Sequence, residues 1–126
     1  MMLPRAFTDW DFDATLQAYS TAGDPALGVS RLYVTSAIRK ASFVNASGYS
    51  NPQVDQLFDE AAAASVQAER AMAYKQIEKI LATDLPVFPI WQTAALNVAS
   101  TRVQGKWAWS TGHDYLDEVW MNKGDD

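Results

Sequence analysis

The chain has no cysteine and one histidine, His113, among its 126 residues. The first absence excludes disulfides, thiolate metal sites and thiol catalysis. The second excludes a zinc site unless several well-placed carboxylates assist a single imidazole. His113-Asp114 could act on a serine, but no Gly-x-Ser-x-Gly nucleophile motif accompanies it, so His113 reads as a surface or turn residue. Basic residues are scarce: ten Lys and Arg against fifteen Asp and Glu give a net charge of −5. That balance argues against generic binding to nucleic acid or an anionic membrane surface. No stretch approaches the roughly 18 apolar residues of a membrane span. The opening Met1 to Phe7 lacks the basic and apolar regions of a secretory signal.

What is present suits one globular domain. The apolar fraction is 48%, and a chain of this length can bury about two-thirds of its unfolded surface. Of five tryptophans, Trp107, Trp109 and Trp120 crowd the end of the chain and read as core.

From Asp9 to Tyr19, Trp10, Phe12, Ala14, Leu16 and Ala18 alternate with polar residues. This period of two predicts a half-buried strand. Asp9-x-Asp11-x-Asp13 opens like a calcium loop, but Ala14 stands where glycine is needed and Ser20 where the closing glutamate belongs. It reads as the polar face of the same strand. Ser20 to Pro25 forms a turn, with Asp24 suited to bonding the local backbone. Leu27 to Val44 reads as a short helix followed by irregular chain, and Asn45 to Ser50 as a loop.

Asn51-Pro52 is a strong helix start: Asn51 can cap the free amides, and Pro52 lacks only an N–H that would be unpaired anyway. Val54, Leu57, Phe58 and Ala61 then make one apolar stripe, with Asp55, Asp59 and Glu60 outside it. A break at Ser65 to Gln67 leads to a second helix from about Ala68 to Thr83. Its stripe is Ala73, Tyr74, Ile77, Ile80 and Leu81, and Arg70, Lys75, Glu78 and Lys79 are solvated. Val87 to Trp91 reads as a buried strand, placed at an edge or bulge by Pro89. Thr93 to Ala99 is a further β-prone run. The fold class is therefore α+β, a helical hairpin packed on a small mixed sheet.

Tyr49-x-Asn51-Pro52-x-Val54-Asp55-x-Leu57 is followed in order by Glu69-Arg70, Tyr74, Ile80-Leu81, Asp84-x-Pro86-Val87 and Val103-x-Gly105. This series resembles the C-terminal part of the substrate-binding proteins of peptide- and nickel-type ABC importers, extracellular solute-binding protein family 5. The resemblance runs from about Phe12 to about Gly105 and implies a fragment of a longer, two-lobed α/β periplasmic-binding protein that closes by a hinge. It implies that residues 1–95 belong to the second, ligand-binding lobe. Residues 96–122 would cross back to the first lobe, and 123–126 would form a disordered tail.

The implied function is transport without catalysis: capture of a peptide-class solute in the periplasm or outside the cell and delivery to an inner-membrane ABC permease. No cofactor and no metal are implied. Tyr19, Ser20, Thr21 and Asp24 would leave a strand and line the cleft. Peptide-binding relatives often carry an aspartate just before Gly-Asp-Pro for the ligand's amino group. Here Ser20-Thr21-Ala22 is neutral, so a free peptide N-terminus loses its partner. The alternative function is a stand-alone interaction module that binds no solute. In either case a homodimer of the fragment through residues after Leu96 is expected, because apolar surface left uncovered seeks a partner.

Overall fold

The computed structural model describes residues 3–21, 23–92, 98–105 and 117–123. It divides into two units, Met1–Phe88 and Pro89–Asp126.

The first unit is built on a helical hairpin. Helix α2, Pro52–Ala63, starts where Asn51 Oδ1 accepts from the amides of Gln53 at 3.0 Å and Val54 at 3.4 Å. Helix α3, Gln67–Asp84, follows the short joint Ala64-Ser65-Val66. It ends at Leu85, whose left-handed backbone (φ 45°) closes the last turn onto Leu81. The start of α2 is fastened to the end of α3: Tyr49 Oη donates to Asp84 Oδ2 at 2.6 Å, and Asn51 Nδ2 donates to the same oxygen at 3.3 Å.

Both predicted stripes point inward. Val54, Leu57, Phe58, Ala61, Ala73 and Ile77 form one buried cluster, flanked by the partly buried Tyr74, Ile80 and Leu81. Each large member contributes about 1.5–3 kcal/mol by leaving water.

The α+β class holds, but the layer on the hairpin differs from the mixed sheet read in the sequence. Among the described residues, Val29, Tyr33, Val34 and Tyr49 close the cluster. Val29, Tyr33 and Val34 flank the 3-10 turns Ser30–Leu32 and Thr35–Ala37 that follow helix α1, Pro25–Gly28, and Tyr49 lies in the loop after them. Irregular chain can be buried only if its backbone finds partners. Asn45, 1% exposed, supplies them. Its Nδ2 donates to the carbonyls of Val34 at 3.1 Å and Tyr49 at 2.8 Å, and its Oδ1 accepts from Ser47 Oγ and the Tyr49 amide. Asp55, expected on the solvent face, instead accepts from the Thr35 amide at 2.8 Å.

The strand read over Asp9 to Tyr19 is absent. Pro4–Asp9 is a π-helical turn closed by Trp10 at φ 54°, and the chain beyond it forms no ladder among the described residues. Leu16 is exposed. Alternation makes a strand only where a neighbouring edge can accept its hydrogen bonds. Asp11 of the calcium-like triplet pairs with Arg5 at 2.9 Å. Val87 to Trp91 is not a strand either, and Phe88, Ile90 and Trp91 are exposed. Pro86 just before this stretch and Pro89 within it each lack a ladder donor.

In the second unit, strands β1, Val103–Gly105, and β2, Val119–Met121, pair antiparallel with Val103 opposite Met121 and Gly105 opposite Val119. Gly105 has φ 98°, and a Cβ there would lie 2.0 Å from the Glu118 carbonyl oxygen, so glycine is required. Trp120 is exposed rather than core. Trp107, Trp109, His113, residues 93–97 of the β-prone run and all but Lys123 of the terminal tail lie outside the described residues. No helix among the described residues is long and apolar enough to cross a membrane.

Candidate ligand-binding loop

Tyr19, Ser20, Thr21 and Asp24 lie in the first unit, and each is held by a different device. Tyr19 ends a row of aromatic rings. Phe7, 1% exposed, packs on Phe43 with ring centroids 5.5 Å apart, and Tyr19 meets Phe43 edge-on at 6.4 Å. Such tilted and edge contacts suit the ring quadrupoles. Burial raises the Tyr19 hydroxyl pKa, and the nearby positive charge of Arg31 opposes the rise.

Ser20 is fixed through its backbone, whose carbonyl accepts from an Arg31 terminal nitrogen at 3.0 Å. Arg31 Nε also donates to the Gly28 carbonyl at 3.2 Å. Thr21 passes directly over α1. A Cβ on Gly28 would lie 1.9 Å from the Thr21 carbonyl oxygen, so this approach exists only because residue 28 is glycine.

Asp24 caps α1, its Oδ1 accepting from the Ala26 amide at 2.8 Å. The same oxygen pairs with Arg70 of α3. Arg70 lies over the Tyr74 ring, 5.5 Å from its centroid, and Tyr74 in turn meets Phe58 edge-on at 6.2 Å. The loop is thus braced to the core of the hairpin. Side-chain exposures of 30% and 39% leave the Arg70–Asp24 pair partly screened by solvent, so it orients the loop more than it stabilises the fold.

Sequence reasoning anticipated the Asp24 turn and missed both arginines. Arg70 read as a solvated helix residue, and its partner lies 46 positions away. The only local signal was Tyr74 at i+4, one turn along the same face.

The four residues present a phenol and two exposed hydroxyls beside a guanidinium, a set able to orient a polar solute by hydrogen bonds. None of them lines the open hollow formed by Arg5, Ala6 and Asp11 to Leu16. Among the described residues no three His, Asp or Glu side chains gather into a metal site.

No family model matches the chain. Over 72 residues, 57% of its length, it is 32% identical to the peptide transport periplasmic protein SapA of Haemophilus influenzae. The matched part is 13% of that protein, so the chain is similar to a small portion of a much longer relative.

Proposed function

We propose that the chain is part of the second lobe of a solute-binding protein of the peptide class, the capture component of a family 5 ABC importer. Residues 1–95 carry the lobe, 96–122 cross toward the first lobe, and 123–126 form its tail. Tyr19, Ser20, Thr21 and Asp24 face the solute. The protein holds its ligand without chemistry and hands it to an inner-membrane permease, in the periplasm or outside the cell.

The likeness to SapA carries this reading. The braced loop supports it, since a binding wall must keep its shape without its ligand. The exposed run of Phe88, Ile90 and Trp91 also favours a segment that other chain covers in the whole protein.

Calorimetry with a mixed peptide library tests the reading in two arms. The 126-residue chain alone shows no tight binding, because one lobe supplies only part of the cleft wall. The same chain joined to the first lobe of a peptide-class relative binds peptide. Failure of the joined, folded protein to bind any peptide would leave the alternative, a stand-alone interaction module.

A further inference from the structure

We infer that the Tyr19–Asp24 loop recognises an anionic group of its ligand, a carboxylate, through the guanidinium of Arg31. This rests on the reading of that loop as a wall of the solute site.

The first support is a charge inventory. Asp24 is the only carboxylate of the loop, and its Oδ1 is engaged by the Ala26 amide and by Arg70. That pair is neutral as a unit. Arg31 remains. It donates to the carbonyls of Gly28 and Ser20, and no carboxylate pairs with it among the described residues. Carbonyls orient a guanidinium without cancelling its charge. Among the described residues, the region therefore carries one fixed positive charge with no carboxylate paired to it.

The second support is preorganisation. A guanidinium has five N–H donors in a planar fork. Two anchoring bonds hold the plane, and the others stay available for a ligand oxygen. A fork held in advance loses little freedom when it binds a carboxylate. The Arg31 charge lies near enough to the Tyr19 hydroxyl to oppose the rise in pKa that burial causes there.

The third support is the character of the neighbours. Ser20 and Thr21 are exposed and neutral. Their hydroxyls can donate to a carboxylate, whereas neither can match the charge of an ammonium. A ligand ammonium here would also meet the repulsion of Arg31.

The test titrates the isotope-labelled 126-residue chain with acetyl-trialanine and with its C-terminal carboxamide, at matched ionic strength, followed by NMR. The carboxylate form is expected to shift the amides of Ser20 and Thr21 with about tenfold higher affinity, the scale of one charge-assisted hydrogen bond. Arg31→Gln should bind the two forms equally. Arg31→Lys, which keeps the charge but not the fork, should retain a preference. Unchanged amide shifts in α2 and α3 establish that each variant is folded.

Equal response of the wild-type loop to both forms overturns the inference and leaves the loop as a solute wall. So does a preference that survives in Arg31→Gln, or identical behaviour of the Gln and Lys variants, which would make Arg31 a scaffold alone. If neither form moves the loop, the inference is overturned, while the solute reading stands or falls with the joined protein.

Discussion

Replacing Asn45 with alanine should loosen the whole first unit. The side chain is 1% exposed and makes four hydrogen bonds. Two of them matter most, those donated to the carbonyls of Val34 and Tyr49. Both carbonyls are part-buried, and alanine offers neither a donor. The Val34 carbonyl keeps the Ala37 amide as a donor at 3.1 Å, so the loss falls mainly on the Tyr49 carbonyl, and a part-buried acceptor left without its partner costs roughly 1–1.5 kcal/mol. The groups served by Oδ1, the Ser47 hydroxyl and the Tyr49 amide, are nearer water and add little. Urea unfolding followed by helical circular dichroism measures the difference.

Asn45→Asp probes the same hub by charge. The new carboxyl faces two carbonyl oxygens where an amide had donated. Its ionised form is disfavoured there, so its folded pKa lies above the unfolded value of about 3.9. Between those two values the folded state binds more protons than the unfolded. Stability of this variant relative to wild type therefore falls as pH rises through that window and is lowest above it. An alanine variant within about 0.5 kcal/mol of wild type, or an aspartate variant with no added pH dependence, would refute the hub.

Leu57→Ala should cost about 2–5 kcal/mol in the same assay, as the loss of a buried core side chain, whereas a loss below half a kcal/mol would place Leu57 on the surface. Tyr49 has its hydroxyl pKa pushed up from 10.0 to about 12, first by burial and then by its bond to Asp84. The folded state holds that proton longer than the unfolded chain, so stability present below pH 10 should be lost as pH rises toward 12, and Tyr49→Phe should remove that loss in unfolding curves taken across the window. Gly28→Ala should displace the Thr21 backbone, seen as amide shifts concentrated at residues 19–24, because the added methyl cannot fit. Self-association, proposed to run through residues after Leu96, should appear in sedimentation of the whole chain and vanish in a chain ending at Gln92. A monomeric whole chain at high concentration would end that proposal.

The hairpin was legible because its signals are local. Asn51-Pro52 caps and starts α2 with its own atoms, and a stripe at helical spacing reports burial whatever covers it. The joint at Ser65 and the order of the family-like motifs are equally properties of the chain. What covers the stripe was not legible. Alternation over Asp9 to Tyr19 and the apolar run at Val87 describe strands only if another edge receives their hydrogen bonds, and no residue within either segment can specify that edge. The candidate loop divides in the same way. Asp24 and its turn could be read from Gly23-Asp24-Pro25, since a carboxylate two residues before an amide can cap it unaided. Its pairing with Arg70, and the seat of Arg31 on Ser20 and Gly28, join positions that only folding brings together. Local sequence selects backbone conformation over a few residues, but the charge left facing a ligand depends on which distant partners have already neutralised the rest.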